Sequence, residues 1–323
     1  MKPLAIAVAA KEKAELVSVA EPAPLQPKQV RGRTLATLVS PGTELAWNYT
    51  GETFPSYPGY SAVFRADEVG AEVANVKVGD VLFCMGGHRS IQQHDAQNVV
   101  PVPTGLSPHE AVVARLMGVS MTTLMTTQAR PCDIVLVTGT GPIGYLAAQL
   151  FVNGGYDVRV MEPNAARLEA IQRSGIQRTY TAMPLDDPEM KGRVAIVVEC
   201  SGHEQAVIDG CKIVRKGGEV VMVGVPWKRR SDRFAFDVLH AVFHNYVILR
   251  SGWEWEVPNH AADFRPHSIY SGLRLALAWL AAKKIPLEGL ITLHAPADAQ
   301  AVYQGLLRGT SQGLFQVFDW TKI

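Results

Sequence analysis

The stretch Asp133-Ile-Val-Leu-Val-Thr-Gly-Thr-Gly-Pro-Ile-Gly144 constrains the fold more than any other part of the chain. A run of β-branched and apolar residues ends at Val137 and turns directly into Gly139-x-Gly141-x-x-Gly144. An apolar segment of helical length follows, from Ile143 to about Asn153. Strand, tight turn and helix in this order open a βαβ unit of the kind that binds a dinucleotide. Gly139 permits the turn. Gly141 leaves room for a pyrophosphate against the backbone, and Gly144 lets the helix sit close to the strand. The first N–H groups of that helix and its positive dipole end face the anion. The backbone of Gly139, Thr140, Gly141, Pro142, Ile143 and Gly144 is the expected phosphate cradle.

Glycine spacing of this kind is common, so its flanks decide the reading. A second apolar run, Asp157–Met161, ends in Glu162. That acid lies about twenty residues beyond the glycines, where a carboxylate binds the adenosine ribose hydroxyls. The same carboxylate would repel a 2′-phosphate. Pro163 and Asn164 supply no cation, and Arg167, one helical turn on, caps the helix or stacks on adenine. The expected cofactor is NAD rather than NADP.

Hydrophobic periodicity divides the chain. Up to about Leu116 it reads as short strands (Leu4–Val8, Gln29–Ser40, Ser61–Glu68, Asp80–Cys84) broken by Pro and Gly clusters. Many short strands with turn signals predict an irregular all-β barrel. From about Thr122 strands and helices alternate. Strands are expected at 133–138, 157–161, 178–181, 194–199, 219–223 and 246–250, with helices at 142–153, 164–174 and 203–215. Six strands in that alternation predict an α/β doubly wound parallel sheet, a Rossmann domain. Two further helices, Ser271–Lys283 and Asp298–Arg308, and a last strand, Leu314–Asp319, complete the chain. The expected domains are 1–118, a catalytic β-barrel; 119–252, the dinucleotide-binding domain; and 253–323, a return to the first.

A chain of 323 residues, 47% hydrophobic, can bury the large cores this requires. A formal charge of +1 gives no reason to expect nucleic acid or an acidic membrane as partner. No apolar run reaches the roughly 18 residues of a membrane span. Cys84, Cys132, Cys200 and Cys211 lack paired metal-type spacing and are read as small buried residues. Cytoplasmic localisation follows.

A β-rich domain, a Rossmann domain and a short tail resemble the medium-chain dehydrogenase/reductase superfamily, with its GroES-like catalytic domain. Its landmarks occur in order: Pro41-Gly42-Thr43-Glu44, Pro58-Gly59-Tyr60-Ser61, Val78-Gly79-Asp80-Val81, Met117-Gly118-Val119-Ser120, Glu199-Cys200-Ser201-Gly202 and Gly217-Gly218-Glu219-Val220. The resemblance implies hydride transfer with a nicotinamide cofactor, and it adds Ser201 to the cofactor contacts. The zinc enzymes of the superfamily hold their catalytic metal through Cys, His and a second Cys or Glu. Those positions fall on Pro41, Tyr60 and Met117 here, and the neighbouring Glu becomes Ser61. None is a plausible ligand, since zinc needs thiolate, imidazole or carboxylate. The four-cysteine structural lobe is absent, with Cys84 alone between Val81 and Val102. The expectation is an enzyme with no zinc. A relocated site on Cys84, His88 and His94 is the alternative.

Without that Lewis acid another group must stabilise the reacting oxygen. Thr43 matches the hydroxyl that relays the proton in the zinc enzymes, and Tyr60 takes a ligand's place facing the substrate cleft. These two are the expected catalytic residues. Tyr60 is equally well a packing replacement for metal and water, and Thr43 equally well a turn residue. The segment carrying Trp47, Tyr49, Phe54, Tyr57 and Tyr60, with Trp253 and Trp255, suggests a bulky or planar substrate. Ser40-Pro-Gly-Thr-Glu44, Pro-Gly-Tyr60 and Gly252-Trp-Glu-Trp255 are similar to the zinc-free branch that contains the bacteriochlorophyllide a dehydrogenases. The leading expectation is a zinc-independent alcohol dehydrogenase or ketone reductase acting on a small molecule. Quinone or enone reduction is a second reading, and a non-catalytic cofactor-binding protein a third. A homodimer is expected through the strand at Asn245–Arg250, whose unbroken apolar run suggests that both its faces are covered.

Overall fold

The computed structural model describes residues 2–323. They form two compact units, one up to Arg115 with Leu273–Lys283 and Leu287–Ile323, the other Leu116–Gly272 with Lys284–Pro286. Residues 253–272 therefore group with the parallel sheet, although the sequence spacing places a boundary at 252.

The first unit is antiparallel and irregular. It begins with a hairpin of β1 (Leu4–Ala10) and β2 (Lys13–Ser18). Then come β3 (Gln29–Leu38), β4 (Ala62–Val69), β5 (Val81–Cys84), β6 (Ile91–Asp95) and β7 (Val99–Pro101). Between β3 and β4 the chain makes α1 (Pro41–Thr43), which runs into a π-helical turn at Glu44–Tyr49. The short helix α2 (Pro108–Ala111) is capped by the Ser107 hydroxyl, which accepts from Glu110 N.

The second unit follows along α3 (Ala114–Thr126). It contains β8 (Ile134–Thr138), α4 (Pro142–Asn153), β9 (Asp157–Met161), α5 (Ala165–Arg173), β10 (Thr179–Tyr180), β11 (Val194–Glu199), α6 (Glu204–Ile213), β12 (Val214–Met222), α7 (Ala235–Asn245) and β13 (Ile248–Ser251). The chain then passes along α8 (Ile269–Ala281) to β14 (Ile291–His294), α9 (Ala299–Arg308) and β15 (Phe315–Asp319).

β8 to β13 form one parallel sheet in the order β10-β9-β8-β11-β12-β13. The order reverses between β8 and β11. Crevices that receive ligands form at the carboxyl ends of strands at such a point. Every residue of β11 is buried, as a strand covered by helices on both faces must be. In the first unit β14, β15, β3, β4, β5 and β7 lie in that order, with β6 also on β3. Register shifts at Arg31/Gly32 and Thr34/Ala36 mark bulges, which bend a sheet. The first unit has a core that includes Ile6, Val8, Tyr49, Val302, Tyr303, Phe318 and Trp320.

Two expectations need correction. The edge strand β13 starts at Ile248, not 246, because Tyr246 adopts φ 54° and closes α7 as a left-handed cap. Its flank also alternates. Tyr246 and Ile248 are exposed, while Val247 and Leu249 turn toward the core. One face is covered, not two. Among the cysteines, Cys132 is exposed on a turn at φ 74°, so it is not a buried packing residue. Among the described residues no helix is long and apolar enough to cross a membrane.

Candidate functional site

The glycine motif folds as its spacing requires. Gly139 has φ 78°, and a Cβ there would lie 2.9 Å from Ser201 Cβ, so the β8 turn and the β11 turn touch. A Cβ on Gly144 would fall 1.8 Å from Gly139 O. Only glycine lets α4 start so close to β8. A Cβ on Gly141 would meet nothing within 4 Å. The helix begins there without a side-chain cap, so its first N–H groups have no intrahelical acceptor. Open space in front of such a helix start fits a pyrophosphate.

Glu162 directly follows β9 and is buried at 4% exposure. Its Oε2 accepts from Thr140 N at 2.7 Å and Thr140 Oγ1 at 3.0 Å, and its Oε1 accepts from Asn164 N at 2.8 Å. A carboxylate has about four acceptor positions, so one remains for a ribose hydroxyl. Asn164, not Arg167, caps α5: its Oδ1 accepts from Arg167 N, and Arg167 is exposed at the helix start. Pro142 and Ile143 form the first turn of α4.

Glu199 ends β11 beside this turn and was not singled out from the sequence, although the Glu-Cys-Ser-Gly motif contained it. It is fully buried and accepts from Ser201 N, Ser201 Oγ, Gly202 N and Thr138 Oγ1. Burial raises its pKa above the ordinary carboxylate value against those hydrogen bonds. It ties the ends of β8 and β11 together at the switch point.

The first unit carries the second cluster. Tyr60 precedes β4, and its hydroxyl donates to Ser40 Oγ and also interacts with Thr43. The structure thus brings Tyr60 and Thr43 together and adds Ser40, which sequence reasoning passed over. The Arg115 guanidinium lies over the Tyr60 ring, 4.7 Å from its centroid. Nothing in the sequence around Arg115 pointed to this. Burial pushes the phenol above its ordinary range, against the lowering effect of Ser40, Thr43 and Arg115.

Below the α1 turn Glu44 is buried at 1% exposure. Its Oε1 accepts from Ser40 N at 2.7 Å, and its Oε2 accepts from Tyr303 Oη at 2.5 Å and faces His88 Nε2 at 3.0 Å. His88 Nδ1 lies 2.7 Å from Thr37 Oγ1, which accepts from Trp320 Nε1 at 2.9 Å. Gly59 makes room for this ring, since a Cβ there would come 2.6 Å from His88 N and 2.8 Å from the imidazole.

The side chains at the three zinc positions do not fit a zinc ion. Pro41 offers no donor atom, the Tyr60 hydroxyl is committed to Ser40, and Met117 is a buried thioether. The alternative trio does not converge either. His88 has a partner on both ring nitrogens, His94 Nε2 faces Gln92 Oε1 at 3.2 Å, and burial pushes the Cys84 thiol far above its ordinary range. Among the described residues no three His, Cys, Asp or Glu side chains could jointly hold a metal ion. His294 pairs with Gln316 between β14 and β15 and is structural.

The aromatic set separates. Tyr49 is fully buried, stacked on Tyr303 at 5.2 Å, and Phe54 packs on the same core. Trp47, Tyr57, Trp253 and Trp255 are exposed. A cavity of about 590 Å³ is lined by Tyr57, Gly59, Met85, Arg89, Gln92 and His94, among others.

Residues 142–259 match a family described as zinc-binding dehydrogenase, a stretch inside the second unit that includes none of the three zinc positions. The chain is 24% identical over 274 residues to a sorbitol dehydrogenase of Halalkalibacterium halodurans, covering 77% of this chain and 75% of that one. It is 28% identical over 212 residues to a putative D-xylulose reductase of Agrobacterium fabrum, covering 64% and 55%. Its fold is that of galactitol-1-phosphate dehydrogenase from Escherichia coli, with a TM-score of 0.82 over 98% of this chain and 99% of that one at 16% identity. With the glycine-rich turn between β8 and α4 and the two-unit fold, these likenesses support that the chain belongs to the medium-chain dehydrogenase/reductase superfamily and is an NAD(P)-dependent oxidoreductase.

Proposed function

We propose that the protein is a zinc-independent, NAD-dependent alcohol dehydrogenase or ketone reductase in which Tyr60 is the acid that serves the substrate oxygen. One observation carries this reading. At the place where relatives would hold a metal, a phenol sits among Ser40, Thr43 and Arg115. When bound, the nicotinamide donates or accepts the hydride. The chain supplies the rest. In ketone reduction Tyr60 Oη gives its proton to the carbonyl oxygen. The phenolate that remains is stabilised by the Ser40 and Thr43 hydroxyls and by the cation over its ring. Raised by burial, the phenol stays protonated through neutral pH, which is the form a proton donor needs. Turnover of secondary alcohols with NAD tests the reading. Turnover restricted to quinones or enones with NADPH would replace it.

The substrate is proposed to be bulky. Trp47 and Tyr57, exposed on the segment that leads to Tyr60, support this by offering apolar surface to a large substrate. Four free thiols favour cytoplasmic residence.

Zinc independence rests on the donor atoms at residues 41, 60 and 117. Elemental analysis of purified protein after mild chelation should find well below one zinc per chain. A stoichiometric ion, about one per chain, would reveal a relocated site.

NAD should bind about ten-fold or more tightly than NADP, a preference worth about 1.4 kcal/mol. Two like charges 4 Å apart near a protein surface repel by roughly 4 kcal/mol, so Glu162 has strength to spare even after screening. Arg167, exposed in the first turn of α5, is proposed to lie on the adenine. Titration of both cofactors by fluorescence measures the ratio, and tighter NADP binding would reverse the assignment.

The assembly is proposed to be a homodimer through the edge of the parallel sheet. β13 ends the strand order, and beside it Phe243 is 80%, Tyr246 75% and Ile248 39% exposed. An apolar edge of this kind is an aggregation hazard unless it is paired. Light scattering should give twice the 35.1 kDa chain mass. Ile248→Lys should give monomers. Val247 faces the core, so a charge there would test stability instead. A wild-type monomer at micromolar concentration would refute the dimer.

A further inference from the structure

We propose that Ser40 is a positioning residue for the Tyr60 phenol, and that the buried Glu44–His88–Tyr303 cluster is the clamp that holds Ser40 in place. The inference rests on the reading of Tyr60 as the acid. Its geometry is independent of the cofactor.

The Tyr60 hydroxyl has Ser40 Oγ as its direct partner. Ser40 lies just before α1, on a backbone with φ −100° and ψ 94° that no side-chain cap of its own secures. A hydroxyl on such a turn would wander over several rotamers. The restraint comes from below. Glu44 Oε1 accepts from Ser40 N, so the carboxylate grips the residue by its backbone and leaves its hydroxyl to Tyr60. Glu44 is in turn fixed on its other oxygen by Tyr303 Oη from α9 and by His88, which precedes β6. His88 is fixed through Thr37 on β3 and Trp320 after β15. Three groups, Ser40 N, Tyr303 Oη and His88 Nε2, thus converge on one carboxylate, and Thr37 and Trp320 brace the histidine behind it. A buried carboxylate is tolerated when every oxygen is hydrogen-bonded, and such a network has one arrangement rather than several.

The consequence is chemical. When Tyr60 loses its proton to the substrate oxygen, the phenolate needs a hydroxyl already within hydrogen-bond distance that can turn to donate to it. The Ser40 and Thr43 hydroxyls are the two within reach; the Arg115 guanidinium lies over the ring, and the Glu44 charge acts on the phenol from nearby. At rest Ser40 Oγ accepts from Tyr60, so once the phenol proton passes to the substrate only the Ser40 O–H has to rotate toward the phenolate, while the heavy atoms are already in place.

A double-mutant cycle on the secondary alcohols that the wild type oxidises provides the kinetic test, paired with an ultraviolet difference titration of tyrosinate that needs no turnover. Ser40→Ala should lower kcat about ten- to a hundred-fold, the range for one hydrogen bond to a charged oxygen. NAD affinity should not change, and Ser40→Thr should restore most of the loss. The same Ser40→Ala change should add little once Tyr60→Phe is present. The Tyr60 ionisation, isolated as the difference from Tyr60→Phe, should move to higher pH in Ser40→Ala. Tyr303→Phe, which loosens the clamp while keeping the ring, should show a weaker shift in the same direction. If Tyr60→Phe is impaired while Ser40→Ala matches wild type in kcat and titration, the positioning role is overturned and Tyr60 stands. If Tyr60→Phe is fully active, the acid assignment itself falls. A kcat loss in Ser40→Ala that adds fully to that of Tyr60→Phe would also overturn the inference.

Discussion

Tyr60→Phe should reduce turnover by about 10²–10⁴-fold, the contribution of one positioned general acid, with NAD affinity little changed. The substitution removes one oxygen and keeps the ring under the Arg115 guanidinium, 4.7 Å from its centroid. Packing is therefore preserved, and the loss reports on chemistry. The cradle proposed for the cofactor is built from other residues, the 139–144 turn and Glu162. The pH profile carries the same information. Burial raises the phenol pKa, so the donating, protonated form persists above the ordinary phenol range. Ketone reduction by the wild type should hold through neutral and mildly alkaline pH and fall only beyond that range. Stopped-flow measurement of hydride transfer checks both points. A fully active Tyr60→Phe enzyme would return the ring to a packing role.

Two alanines three residues apart should both weaken NAD binding but differ in stability. Gly144→Ala places a Cβ 1.8 Å from Gly139 O and 2.9 Å from its carbonyl carbon, both backbone atoms. Neither can rotate away, so α4 must lift from β8. Overpacking of this kind costs about 1–3 kcal/mol, and more where the backbone cannot yield. Thermal melting and NAD binding should both suffer. Gly141→Ala meets nothing within 4 Å, and its φ of −59° suits any residue. Its stability should stay within about 0.5 kcal/mol of wild type, while NAD affinity falls because the new methyl stands where the pyrophosphate approaches. Calorimetry with and without NAD separates the two. Equal melting temperatures for both variants would contradict the packing geometry.

The cofactor-binding unit was legible because its signals are local. β-branched runs set β8, β9 and β11 within a residue or two of their observed bounds. The glycines fix a turn by their own backbone freedom, and Glu162 lies a fixed number of residues beyond them. The edge strand shows where local reading stops. Four apolar residues in a row suggested burial on both faces, yet Tyr246 is a helix cap and Ile248 points outward. Whether an apolar residue is covered depends on which neighbour packs there, and the run itself does not encode that.

The second cluster divides the same way. Sequence alone determined that no thiolate or imidazole stands at residues 41, 60 and 117, because side-chain chemistry is written in the residue names. The likeness to the family suggested that Tyr60 and Thr43 form a polar pair facing the reacting oxygen. Only the tertiary structure decided what surrounds them. Ser40 and Tyr60 are 20 residues apart, Glu44 and His88 are 44 apart, and Glu44 and Tyr303 are 259 apart. Local propensity carries no information over such separations. A hydrogen bond between them exists because β3, the α1 turn, the residues before β6 and α9 pack around one core, and burial then makes every unpaired polar group there costly enough to be matched.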